Sequence, residues 1–193
     1  SAVQSLADQL SVLADTPDMA AVLARARDLD EICANLDAQV GIAVEAPEPL
    51  AKLHAVTIVL DLVHGTLGAM QYHPDAGWLR EHGYSTDLVK CVHIPEAADL
   101  ATPRNITEQP WVVLHELAHA YHDQVLGFEE PRIIRAYEDF KKSGRGDRAL
   151  LYDGTRVRHY GLTDAKEFFA EMTEAYFLSV NGAVTTSDVT LGN

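Results

Sequence analysis

The sequence predicts an α+β fold, a small sheet carried among helices, and three observations point there. A β-branched run at residues 55–60 and an alternating run at 90–94 read as strands. Residues 111–126 and 164–179 keep helical apolar spacing. Asp153-Gly154, between two extended runs, reads as a two-residue hairpin turn. The 193 residues, 47% hydrophobic and 23% charged, suit one soluble globular domain with a helical extension. A chain of that length buries a core without disulfides or metal, so a metal here would serve chemistry rather than folding.

Residues 1–42 read as a helical hairpin docked on the rest. Leu6, Leu10 and Leu13 form one short stripe, and Thr16-Pro17 supplies a cap and a favoured first helical position. Val22, Ala26, Leu29, Cys33, Leu36 and Val40 follow at alternating steps of four and three, which aligns one apolar face. Residues 43–49 hold two prolines and two glutamates and read as a linker, leaving residues 50–193 as the main domain.

In that domain, residues 55–60 suggest a buried strand, and residues 70–84 are aromatic and irregular. In the 90–94 strand Val92 and Ile94 share one face, Cys91 and His93 the other. That strand is read either as an ordinary sheet member or as an edge along which an extended peptide adds. The 111–126 helix stops at Gly127, and Pro131 opens another that ends near Gly144. A hairpin covers residues 150–160, and Thr163 caps the last helix.

The chemistry sits in His115-Glu116-Leu117-Ala118-His119, inside the 111–126 helix. Residues four apart lie about 40° apart around a helix and one turn along it, so both imidazoles reach one ion. Zinc peptidases use that spacing. Glu116 lies about 100° on from His115, aimed beside the ion, where it can hold and deprotonate the attacking water. Random placement would produce the bare motif in roughly 3 of 100 such chains, so its mid-helix context carries the weight. The other face of the helix, Val113, Leu114, Leu117, Tyr121 and Leu126, is apolar enough to bury.

The third ligand sets the subtype. A metzincin needs glycine at position 122 and histidine at position 125, where this chain has His122 and Val125. Gluzincins instead take a glutamate from a later helix. The last helix offers Glu167, Glu171 and Glu174 at steps of four and three, a stripe that otherwise reads as a solvated face.

Tyr160-Gly161-Leu162-Thr163-Asp164-Ala165-Lys166-Glu167-Phe168-Phe169-Ala170-Glu171 resembles the second zinc-site segment of the anthrax lethal factor family of metallopeptidases, which includes proline-directed bacterial endopeptidases. With the His-Glu-x-x-His helix, the resemblance covers roughly residues 109–177, and residues 72–83 look like a segment common among bacterial members. It implies a zincin-like catalytic domain holding one zinc per chain. It also implies His115, His119 and Glu167 as ligands, Glu116 as general base, Tyr160 with its hydroxyl facing the reacting oxygen, and Glu171 orienting a ligand histidine. The tail after Phe177 lacks the aromatic continuation of the bacterial members, and the toxin's docking domains are absent.

Other residues read more plainly. His122 lies about 10 Å along the axis from His115, too far for the same ion, and reads as a surface or supporting histidine. Asp123 reads either as a support for His119 or as an exposed acid. His54, His64, His73, His82 and His93 show no ligand spacing. His159 and Tyr160 alternate on a strand, so one faces the site. Cys33 and Cys91 form no metal or redox motif and read as unpaired thiols, with a disulfide between them as the alternative.

The net charge of -14 repels phosphate backbones, so nucleic acid is excluded as a partner, while the motif and the resemblance make a peptide or protein substrate the expected one. The longest strongly apolar run is far short of the roughly 20 residues of a membrane span. The chain begins at Ser1, without initiator methionine or signal peptide, which leaves its location open with a lean towards export after removal of a leader. The expectation is a zinc-dependent peptidase. Two rivals stand beside it: a zinc-binding peptide-recognition module without turnover, and a zinc hydrolase of a non-peptide amide or ester.

Overall fold

A computed structural model describes residues 47–64, 66–109, 111–151 and 153–180. The expected hairpin at 1–42, Cys33, Pro110 and the tail beyond Val180 lie outside the described residues. The architecture is α+β. Helix α1, Pro47–His54, carries proline in its first turn and Lys52 and His54 in its last, both suited to the helix dipole. It starts inside the stretch expected as a linker, whose last three positions are helical.

Strands β1 (Thr57–Leu60), β2 (Gln71–Tyr72) and β3 (Cys91–Ile94) form one sheet in the order β1-β3-β2. β1 runs parallel to β3 with Val59 opposite His93, and β2 runs antiparallel with Tyr72 opposite Val92. Two expectations are corrected. β1 is half-exposed, with Ile58 43% accessible, because β-branching favours an extended backbone without deciding which face is covered. β3 is the buried centre of the sheet, so no peptide can add along it; the free edges belong to β1 and β2.

The register sorts side chains between two faces. Tyr72 and Val92 face one way and pack with Ala120, Leu117 and Val56; Met70, Ile94 and Leu100 gather Val112 and Val113 on the same side. His93 and Cys91 take the opposite face. The stretch at 70–84 also contains helix α2, Ala76–Glu81, whose cap Asp75 accepts from the Gly77 and Trp78 amides at 2.6 and 3.0 Å.

Helix α3, Val112–Tyr121, continues as a π-helical turn, His122–Leu126, where an unbroken α-helix was expected. It lies against the sheet and, more extensively, against α5, Ala165–Val180. Helix α4, Pro131–Ser143, packs Ile133 and Phe140 with Leu162 and Phe168.

Strands β4 (Ala149–Leu150) and β5 (Arg156–Val157) make the expected hairpin. Its turn is longer than two residues: Leu151 N–H donates to Thr155 O at 2.8 Å, and Gly154 takes φ +85°, a bulge conformation suited to glycine. β5 ends at Val157, so His159 and Tyr160 do not alternate on a strand; Tyr160–Leu162 is a 3-10 turn. Asp164, not Thr163, caps α5, accepting from the Lys166 and Glu167 amides at 2.8 and 3.0 Å. Thr163 has helical dihedrals (φ -65°, ψ -58°), which place it in the preceding turn.

Candidate active site

His115 and His119 lie one turn apart on α3, and α5 lays Glu167 across them. Glu167 Oε2 is 3.1 Å from His115 Nε2 and 3.4 Å from His119 Nε2. Donors about 2.1 Å from a tetrahedral zinc stand roughly 3.4 Å from one another, so this spacing already suits the ion. The other nitrogen of His115, Nδ1, is 2.5 Å from Glu174 Oε1, and both groups are buried. A carboxylate there fixes the tautomer that turns Nε2 towards the Glu167 side.

The resemblance gave the orienting role to Glu171. The hydrogen bond at His115 Nδ1 is with Glu174, one turn further along α5. Glu171 lies close to both, its donor oxygen within 4.8 Å of theirs, and its Oε2 is 3.7 Å from His159 Nδ1. Spacing held the signal, since Glu174 follows Glu167 by two turns on one face; what it lacked was the depth of that face.

Glu116 is buried, and its Oε2 accepts the Tyr72 amide at 2.7 Å. His73 spends its own N–H and C=O on Cys91 and Lys90 of the β3 side, so by alternation Tyr72 turns its amide out from the free edge of β2. Nothing in the sequence signalled this long-range bond. The Tyr72 hydroxyl donates to Asp123 at 2.7 Å, and Asp123 also pairs with Lys90. Those contacts, rather than His119, occupy Asp123. His122 is fully buried against Phe128 and Phe169, and neither ring nitrogen has a hydrogen-bond partner among the described residues. It is a core residue, and burial lowers its pKa.

Tyr160 stands in the wall, its ring 6.4 Å from that of His115. Its turn can sit that close because residue 161 is glycine: a Cβ there would come within 3.2 Å of the Phe168 backbone on α5. Burial, with Glu167 and Glu116 nearby, raises the Tyr160 pKa, so the phenol stays protonated and can donate. The cavity holds about 390 Å³ and is lined by Tyr160, His115, Glu116, His119 and Glu167, with Met70 and Gln71 on the sheet side. Arg104, Asn105 and Gln109 also line it, from a stretch that sequence reading left without a role.

Burial alone would lower the His115 pKa, but its bonds to Glu167 and Glu174 override that and raise it to about 10. Burial would raise Glu167, yet the His115 and His119 bonds take it down to about 2. Burial pushes Glu116 and Glu174 up. Three carboxylates (Glu116, Glu167 and Glu174) crowd two imidazoles in a largely buried space, an arrangement that calls for a cation. The donor set of two imidazoles and a carboxylate suits zinc.

Comparison with protein-family models, with curated proteins and with solved structures gave no match. No helix among the described residues is long and apolar enough to cross a membrane.

Proposed function

We propose that the chain is a zinc-dependent peptidase of gluzincin type with a zincin-like catalytic domain, similar to the anthrax lethal factor family. One observation carries the reading: His115 Nε2, His119 Nε2 and Glu167 Oε2 converge at zinc-ligand spacing, beside the Glu116 carboxylate, on the wall of an open cavity. Glu174 holds His115 in the ligating tautomer. A zinc ion held there supplies a Lewis acid for the scissile carbonyl and lowers the pKa of water.

Glu116 takes the water's proton. Burial raises its pKa, which makes the carboxylate a better proton acceptor, and the Tyr72 amide fixes its position. Tyr160, kept protonated, donates to the carbonyl oxygen as it gains negative charge. The substrate is a peptide or protein segment lying between the free edge of β2 and the Tyr160 turn.

The test is incubation of the zinc-loaded protein with a diverse peptide library, with cleavage read by mass spectrometry. Cleavage that chelation abolishes and zinc restores is expected. Stoichiometric zinc without cleavage of peptides, amides or esters would select the recognition module; cleavage of small amides or esters alone would select the non-peptide hydrolase.

A further inference from the structure

The sheet has a histidine face, turned away from α3. Val59 lies opposite His93 and Gln71 opposite His93, so Asp61 and His73, each two residues further on, share the face of His93. On that face His93 Nε2 is 2.9 Å from Asp61 Oδ2, and the His64 ring stands 5.1 Å from the His93 ring. Asp61, His64 and His93 each present a donor atom within 4.8 Å of the others. The backbone holds this geometry at three points: Asp61 N–H to Ile94 O at 2.9 Å, His64 N–H to Pro95 O at 2.8 Å, and Ala97 N–H to Asp61 O at 2.8 Å.

Two imidazoles of this face are buried as well as close. His93 and His73 are 0% and 2% exposed, their rings 5.6 Å apart, and His93 Nδ1 and His73 Nε2 have no hydrogen-bond partner among the described residues. Buried imidazole nitrogens left unsatisfied are costly, so this face concentrates polar groups that the surrounding protein does not satisfy.

We propose that Asp61, His64 and His93 form a second site for a first-row divalent metal ion, separate from the cavity of the candidate active site. Two imidazoles and one carboxylate suit zinc or a neighbouring ion and leave a coordination position open to water. Zinc needs donors roughly 3.4 Å apart, so the widest gap closes by about 1.4 Å at most. His64, half-buried on the loop after β1, can make that movement, and Thr66 Oγ1, 3.3 Å from His64 Nδ1, can steady the ring. The ion would tie the end of β1 to β3, bracing the sheet on which α3 rests.

The experiment loads the full chain with zinc, removes the excess by desalting and counts zinc per chain. Two are expected in the wild type, one in His64→Ala, Asp61→Asn and Glu167→Ala, and none in Glu167→Ala/His64→Ala. His64 and Asp61 are partly exposed, so both variants should fold, and circular dichroism of the metal-free proteins checks it. Peptide turnover should persist in His64→Ala. One zinc in the wild type and none in Glu167→Ala overturns the second site while leaving the active-site reading intact. Two zincs retained in both His64→Ala and Asp61→Asn overturns the ligand assignment. Zinc lost from His64→Ala but unchanged in Glu167→Ala supports the sheet site and counts against the active-site ligands.

Discussion

Two clusters of histidine and carboxylate flank the same sheet, and they are built in opposite ways. On the α3 side, two of the proposed ligands share one helix and the third comes from its main packing partner, so geometry follows from helical periodicity. On the far side, Asp61, His64 and His93 come from a strand end, a loop and a central strand, brought together by strand register. The first lies in a wide cavity with a carboxylate beside it; the second is tied down by backbone bonds. A site for turnover needs an open wall and a base, whereas a brace needs only rigid donors.

That contrast can be broken at several points. Glu116→Gln keeps the shape of the base but cannot take a proton, so hydrolysis should fall about 10²- to 10⁴-fold with zinc content unchanged on both faces. Near-normal turnover in a steady-state peptide assay would remove Glu116 as the base. Tyr160→Phe should cost about 10²- to 10³-fold, confined to kcat, with zinc retained. The control is Tyr137→Phe, whose hydroxyl donates to the Leu162 carbonyl at 3.3 Å behind the same turn and which should leave kcat nearly intact. Equal kcat losses in the two would make Tyr160 a packing residue.

Glu174→Ala should weaken zinc at the helix site by about 10- to 100-fold, since it removes the partner of His115 Nδ1, and should leave the sheet site alone. Competition with a chromophoric chelator reads this directly, and an unchanged affinity would deny Glu174 its orienting role. The last effect concerns protons. Without metal, His115 keeps its proton up to about pH 10 while Glu167 has lost its own above about 2. Zinc requires the neutral imidazole, so uptake at the helix site must expel that proton, and raising the pH must favour it. Affinity should rise about tenfold per pH unit between about pH 7 and 9, with about one proton released per zinc in calorimetry across buffers. A flat profile would mean that His115 is already neutral.

Legibility followed the same division. That His115 and His119 would face one point beside Glu116 was readable because four residues make one helical turn, and the approach of Glu167 because a resembling segment singled it out of an acidic stripe. Glu174 shared that stripe and was passed over, since spacing cannot separate a buried acidic face from a wet one. His122 read as supporting or exposed because the sequence does not show Phe128 and Phe169 closing on it. The strands at 55–60 and 90–94 were recognised, but which was central was not, because strand order is a long-range property. For that reason His64, His73 and His93 looked scattered. The cap moved from Thr163 to Asp164 because the 3-10 turn at Tyr160–Leu162 claims Thr163 as its own end.

Tyr72 touches α3 and its continuation twice, by its amide at Glu116 and by its hydroxyl at Asp123, seven positions apart and about 10 Å along the axis. A single fastening would set the distance between helix and sheet and leave the helix free to swivel about it. Two fastenings from one rigid residue set distance and heading together, as a pair of dowels aligns two plates where one would let them turn. The aim of Glu116 across the cavity is thereby referenced to the sheet rather than to the helix alone. An error of alignment at one end must be shared with the other.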